Sequence, residues 1–243
     1  MNKSSVKIAA GIFFLAGLFV ACDEPRDLQT DKQTVAAGSA KTAEVELQMG
    51  AGELRLAGAA QDALLEATFR YNRPRLKPEV DYRVSGSTGI LRVGHRRHSG
   101  FNFGRVHNEW DLRLGQSLPL ELKVNLGAGQ SRLDLRDLDL TGLDIDMGVG
   151  QMTLDLRGPH ARSLRVKIDG GVGSGTIYLP ADVGVRVKVD GGIGSVNTRG
   201  LSKDHRVYTN DAYGKSGVTI DIEIDAGIGS LDLRVEPDGR VKL

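Results

Sequence analysis

Residues 143–156 read "LDIDMGVGQMTLDL", and this stretch decides the fold. Its apolar residues alternate with polar ones on both sides of a Gly-x-Gly motif, and alternation with a period of two is typical of a β-strand. The apolar positions are odd before the glycines, at Ile145 and Met147, and even after them, at Met152 and Leu154. The side chains would therefore change face unless the backbone turns a corner or bulges at the glycines.

The same unit occurs six times along the chain. The other five copies are residues 45–56, 122–135, 166–179, 185–198 and 222–233, and "YRVSGSTGILRV" at 82–93 is a weaker further candidate. In the four consecutive copies from 122 to 198, the first glycines lie 21 to 23 residues apart. Self-similarity of this kind is characteristic of stacked repeats. The sequence predicts an all-β, stacked-repeat β-solenoid over residues 43–243.

The glycines of each motif alternate with the apolar residues, so we expect them to face away from the core. The residue between the glycines, such as Val149, shares the parity of the apolar residues before it and is expected to face inward. Stacked copies would then form two columns without side chains, which another backbone can approach closely. We expect that backbone to belong to a neighbouring part of this chain, the alternative being a partner.

Two familiar uses of glycine-rich segments are excluded. A phosphate-binding loop uses its glycines once, between a strand and a helix, whereas each of the six copies here runs into another strand. A calcium-binding nonapeptide needs an aspartate at its sixth position, and counting from Gly170 places Gly175 there.

One polar position recurs two residues before the first glycine of each copy. It is occupied by Gln48, Asn125, Asp146, Asp169, Asp190 and Asp225. At about 4.8 Å between stacked strands, carboxylates repel one another unless they are solvated, hydrogen-bonded or bridged by a cation. We expect an outward, solvated ladder, with a weak divalent-cation stripe as the alternative. No cofactor and no defined metal site is predicted.

The amino terminus resembles that of a bacterial lipoprotein. Lys3 and Lys7 precede the apolar run 8–21, which is too short to span a bilayer of about 30 Å, and the only cysteine, Cys22, follows it. The ending "LFVAC" resembles a lipobox, which implies attachment of a lipid to Cys22. The alternative is an ordinary secretory signal. Asp23 resembles the signal that retains enterobacterial lipoproteins at the inner membrane, so its periplasmic face is favoured over the outer membrane.

Three segments are predicted on this basis. Residues 1–21 are a signal peptide, and residues 22–42, which contain few large apolar side chains, are a flexible tether. Residues 43–243 form the β-repeat domain, with a basic insertion near 66–113.

The basic insertion holds ten Lys and Arg residues against five Asp and Glu, although the net charge of the whole chain is only +1. Its candidate partner-binding residues are His95, Arg96, Arg97, His98, Phe101, Phe103, Arg105, His107 and Trp110. A basic loop with exposed aromatic side chains suits an anionic polymer, lipid headgroups or a protein partner. Two alternatives stay open: the aromatic residues close one end of the stack, or His95, His98 and His107 ligate a metal. Nothing in the overall charge indicates nucleic acid as a partner.

The lipobox, the tether and the repeated "LGAGxxxLDL" or "DGGxGS" strands resemble the toast-rack family of bacterial envelope proteins. More distantly, they resemble the carboxy-terminal domains of LiaF-type cell-wall stress regulators and adhesin-like β-solenoid domains. The resemblance covers about residues 43–243 and implies a membrane-anchored, non-catalytic domain for binding or scaffolding, in stress sensing or adhesion. An envelope protein or an anionic glycan is the implied partner.

An enzyme is the competing class. The sequence shows no nucleophile elbow with Ser, His and Asp, and no carboxylate pair that stands apart from the repeats. A polysaccharide lyase or hydrolase on a β-helix would instead need a concave groove with converging Asp, Glu or His side chains.

Overall fold

The structure, a computed structural model, describes residues 28–60, 63–95, 106–192 and 194–238. Within these ranges it contains fourteen strands and one short 3₁₀ helix at Pro74–Leu76. The strands are β1 (Gln29–Val35), β2 (Thr42–Ala60), β3 (Leu65–Tyr71), β4 (Glu79–Ser85), β5 (Thr88–Gly94), β6 (Asn108–Gly115), β7 (Leu120–Asp134), β8 (Leu140–Asp155), β9 (Leu164–Leu179), β10 (Gly184–Gly191), β11 (Ser195–Arg199), β12 (Ser202–Asp204), β13 (Val207–Thr209) and β14 (Thr219–Val235). No helix among the described residues is long and apolar enough to cross a bilayer.

Each long strand folds back on itself at its glycines. β7 has 15 residues, which would span about 50 Å if the strand were straight. Residues 135–139 connect it to β8, and five residues reach at most about 18 Å. Nevertheless β8 starts beside the start of β7 and runs parallel to it, with Leu120 next to Leu140. The chain must therefore turn at the glycines, so each copy is a coil with two arms and the change of parity marks a corner.

The coils stack in parallel and in register. Their order in space is β2, β7, β8, β9, β14 and then β10, so β14 inserts between two strands that precede it in the chain. Equivalent residues lie side by side: Val124 pairs with Ile145, and Ile145 with Ile168. The arms before the glycines form one layer, here the first layer, and the arms after them form the second layer. This arrangement confirms the predicted stacked-repeat β-solenoid.

The core lies between the two layers. Leu122 and Val124 reach it from the first layer, and Leu133 and Leu135 from the second, each with at most 2% of its surface exposed. Burying a side chain of this size stabilises a fold by about 1.5–3 kcal/mol, and the same positions repeat in every coil. The alternation read from the sequence thus places the core residues correctly on both arms.

The weaker candidate at 82–93 is not a coil by itself. It forms an antiparallel hairpin of β4 and β5 around Gly86, whose φ is 63°. β5 pairs with the first arm of β2, however, and β6 pairs with the second arm of β2. β5 and β6 together therefore form a further coil at this end, and residues 95–107 occupy the position of its corner.

The predicted flexible tether is wrong over part of its length. β1 pairs with β3 along its whole length as the edge strand of the second layer, although it belongs to the segment 22–42. The Tyr82 hydroxyl also donates a hydrogen bond of 2.6 Å to the carbonyl oxygen of Ala37. An edge strand needs backbone partners on one side and only half-buried side chains, so its polar sequence concealed it. The predicted signal peptide and Cys22 lie outside the described residues.

Candidate functional site

The glycine corner is built from close contacts between coils. A Cβ atom on Gly148 or Gly171 would collide with the carbonyl oxygen of the equivalent glycine in the preceding coil. The second glycines have the same constraint and also have positive φ angles: 136° at Gly129, 150° at Gly150 and 159° at Gly173. Such φ values strain any residue with a side chain. The prediction that the glycine columns admit a backbone of this same chain is confirmed.

The residue between the two glycines lies at the tip of the bend. Val149 is 55% exposed and Val172 is 50% exposed, so the expectation that this position faces the core is wrong. The chain reverses direction at this residue, which places its side chain outside both layers. Pairing aligns these residues across coils as one column, here called the corner ridge: Ala51, Ala128, Val149 and Val172.

The polar residues before the glycines form a second column on the outer side of the first layer. In spatial order this corner ladder is Gln48, Asn125, Asp146, Asp169, Asp225 and Asp190. The ladder is neutral at the β2 end and acidic from β8 onward. Neighbouring members are one strand apart, about 4.8 Å, and they all point the same way. Among the described residues no group of His, Cys, Asp or Glu is arranged to hold a metal ion.

Lysine and arginine side chains neutralise part of this ladder. The Nζ atom of Lys167 lies 2.6 Å from Asp169 Oδ2. Asp190 receives Lys188 Nζ at 2.6 Å and Arg206 Nη1 at 3.2 Å. The hydrogen bond from Lys188, followed by that from Arg206, holds the pKa of Asp190 below its usual range. The acidic end of the ladder is therefore a mixed surface of carboxylates and ammonium groups.

An open groove of about 800 Å³ runs along the corner from β2 to β14. Members of the corner ladder and the first glycines line it, and His95 stands at its β2 end because Gly94 pairs with Gln48. The carboxylates on its wall are parallel neighbours in one sheet. This is a repeated binding surface, and it differs from a pocket in which acid and base converge from opposite sides.

His95 is held by its neighbours. Its Nε2 atom is 2.9 Å from the carbonyl oxygen of Leu76, and its ring centroid is 5.2 Å from that of Trp110. Burial lowers the pKa of His95, and the contact with Leu76 opposes this shift. The imidazole therefore packs as a half-buried side chain at the end of the groove.

Trp110 is part of the core, and its predicted role on an exposed partner surface is wrong. It pairs with Leu54 in the second layer, faces inward and is 1% exposed. Its ring packs edge-to-face on Phe69 at 5.5 Å, and its Nε1 donates to Asn108 Oδ1 at 3.1 Å. For Trp110 the alternative, an aromatic side chain that closes one end of the stack, is correct.

The remaining candidates divide into two groups. His107 lies beyond the corner with its side chain 41% exposed, and its Nε2 is 3.2 Å from Glu109 Oε1. Arg96, Arg97, His98, Phe101, Phe103 and Arg105 lie outside the described residues, as does Cys22. The structure therefore brings His95 and Trp110 together and leaves His107 at the surface beside a carboxylate.

The opposite corner of each coil carries a network of ion pairs that the sequence reading missed. Arg136 Nε donates to Asp134 Oδ1 at 2.7 Å, and Arg157 Nε donates to Asp155 Oδ1 at 2.9 Å. Asp155 also lies 3.4 Å from Arg136, which links two coils. Arg157 packs over the ring of Tyr178 at 4.8 Å. The recurring "LDLR" at 133–136, 154–157 and 231–234 was the available signal.

The comparisons agree with this architecture. A family model described as the N-terminal domain of toast_rack, DUF2154, matches residues 24–178. A solved structure of a candidate cell adhesion protein from Clostridium sporogenes is 32% identical, with a TM-score of 0.82 over 86% of this chain and 100% of that one.

Candidate adhesins from Bacteroides fragilis and Parabacteroides merdae align at 14% and 12% identity over 86% and 85% of this chain and 98% and 80% of theirs. Their TM-score is 0.27 in each case, too low to bear on the fold. Comparison with curated proteins gives no match.

Proposed function

The chain belongs to the toast-rack family, and on that premise we propose that it is a lipid-anchored, non-catalytic protein of the bacterial envelope whose solenoid binds a partner. The family and the relative from Clostridium sporogenes, a cell-adhesion candidate, support a role outside catalysis. The lipobox ending at Cys22 supports the anchor, and Asp23 supports the periplasmic face of the inner membrane. Adhesion and envelope-stress sensing both require such a binding surface.

The observation that carries the proposal is the continuous face at the glycine corner. Successive coils present the corner ridge, with Val149 and Val172 half exposed, next to an open groove lined by the corner ladder. Exposed apolar side chains rimmed by polar ones are characteristic of an interaction site. Residues 96–105 leave and re-enter the described chain at the β2 end of this face, so their three arginines would add a basic element for an envelope protein or an anionic glycan.

The anchor is tested by Cys22→Ala in the full chain. We expect the variant to move from the membrane fraction to the soluble fraction, because the lipid attached to Cys22 is the proposed attachment. Asp23→Ser tests the compartment, and we expect part of the protein to move to the outer membrane. Unchanged fractionation of Cys22→Ala would refute lipid anchoring.

The binding face is tested by the pair Val149→Ser and Val172→Ser. Neither side chain belongs to the core, so the fold should persist while capture of an envelope partner from membrane extracts falls at least tenfold. Val84→Ser is the matched control, since Val84 is 39% exposed on β4, away from the corner. Arg96→Glu, Arg97→Glu and Arg105→Glu together should abolish salt-sensitive binding of a purified anionic glycan. Equal capture by all variants would remove the corner as the site.

A carbohydrate-active enzyme is the second candidate, because Asp146 and Asp169 line a groove one strand apart. A glycosidase needs two carboxyl groups in different roles on either side of the scissile bond. Here they point the same way from one sheet. Incubation with envelope polysaccharides should show no turnover, and turnover lost in Asp146→Asn with Asp169→Asn would favour the enzyme instead.

A further inference from the structure

The second layer ends in an open strand edge. β11 pairs with β14 on one side, and among the described residues no strand pairs with its other side. No hydrogen bond from the backbone or side chains of Asn197 or Thr198 reaches another described residue outside that ladder. A free edge presents unpaired N–H and C=O groups and is a template for another strand.

This edge differs from the other edges of the sheet in its chemistry. Edge strands are usually protected by charged side chains or by shortness. β12 has only three residues, and charges are spread over it, β1 and β4: Lys203, Asp204, Asp31, Lys32, Glu79, Asp81 and Arg83. β11 reads "SVNTR" and carries no charge before its last residue, Arg199. It is therefore the unprotected edge.

The inner face of β11 is also incompletely covered. Val196 and Thr198 pair with Leu231 and Leu233, which are buried, so all four side chains are on the core side of the second layer. Val196 is nevertheless only half buried and Thr198 is exposed. The core is thus unfinished beside β11, and a further strand would cover both side chains.

We propose that a second copy of this chain completes the edge, with the two β11 strands antiparallel around a twofold axis at Asn197. In this register Val196 of each copy faces Thr198 of the other, and Ser195 faces Arg199. No like charges meet, and both apolar contacts lie on the core side. A twofold contact uses the same patch on both copies, so one self-complementary strand suffices.

The size of the contact sets the strength that we expect. Five residues a side cover less surface than the roughly 1,200 Å² of a standard stable interface. The dimer should therefore be concentration-dependent in solution and favoured where copies share a membrane. The inference stands apart from the partner surface at the glycine corner and does not depend on it.

The test is a crosslink in the full chain. Residues directly opposite in antiparallel strands have Cβ atoms about 4.5–5.5 Å apart, so Asn197→Cys should give a dimer with a short bis-maleimide. Asp81→Cys, at the centre of the exposed edge strand β4, is the matched control. The unsubstituted chain shows what Cys22 contributes. We expect at least a tenfold stronger dimer band for Asn197→Cys than for either control.

A charge at the same position should prevent pairing. Asn197→Lys places two ammonium groups directly opposite each other, so the dimer fraction in analytical ultracentrifugation should fall at least fivefold while thermal unfolding stays unchanged. Thr141→Lys, exposed on β8, should leave the dimer intact. No dimer in the unsubstituted chain, or crosslinks from Asn197→Cys only to a different protein, would overturn the proposal.

Discussion

At one corner of each coil the chain turns on glycines, and at the other it turns beside paired Asp and Arg side chains. The glycine corner depends on the absence of atoms, because the carbonyl oxygen of the preceding coil occupies the place of a Cβ. The opposite corner depends on atoms that are present, such as the Asp155 carboxylate between Arg136 and Arg157. Backbone contact tolerates no substitution, whereas an ion-pair network loses its contributions singly. The following experiments test this difference.

The largest effect is expected from Gly150→Ala. Its Cβ would overlap the carbonyl oxygen of Gly129, and its φ of 150° is strained for a residue with a side chain. Backbone between rigid coils cannot move aside without disturbing the register of the stack. We expect a loss of at least about 3 kcal/mol in the free energy of unfolding, measured by urea denaturation.

Gly50→Ala is the matched control at the end of the stack. It changes the same motif, but a Cβ on Gly50 meets nothing within 4 Å. We expect a change within about 0.5 kcal/mol. Equal destabilisation by the two variants would show that conformational freedom, and not the neighbouring carbonyl, selects these glycines.

A smaller effect is expected from Asp155→Asn at the opposite corner. The Asp155 carboxylate accepts hydrogen bonds from Arg157 at 2.9 and 2.7 Å, and its side chain is only 12% exposed. The amide cannot satisfy both guanidinium groups, so we expect a loss of about 1–3 kcal/mol. Glu53→Gln is the control, because its pair with Arg55 is exposed and should change stability by less than about 0.5 kcal/mol. A cost for Glu53→Gln as large as that for Asp155→Asn would contradict this account.

The repeated strands could be predicted because their pattern is physical. Val124 and Leu133 alternate with polar residues on arms that face one core, and the shift of parity marks the corner between them. The exposed position of Val149 could not be read from parity, since a residue at the tip of a reversal belongs to neither layer. A glycine on each side of it was the only hint.

The basic insertion shows where sequence reasoning fails. Trp110 looked exposed because it follows a run of charged and glycine residues, but its pairing with Leu54 is a long-range contact that no local pattern reveals. β1 was hidden for a related reason, because its ladder with β3 uses backbone groups that every residue carries. His95 was correctly placed near the site, although as a packed side chain.

The smallest effect concerns pH and separates His95 from the rest of the groove. Burial lowers the pKa of His95 in the folded protein, so the unfolded chain binds its proton first as the pH falls below about 6.5. Stability should therefore decrease between pH 7.5 and 5.5, by less than about 1 kcal/mol because the imidazole is partly solvated. His95→Gln, which can still donate to Leu76, should flatten this slope in urea denaturation at the two pH values. Asp190 cannot replace the effect, since its lowered pKa costs stability only where carboxylates become protonated, below about pH 4. A slope that persists in His95→Gln would therefore assign the titration to another histidine.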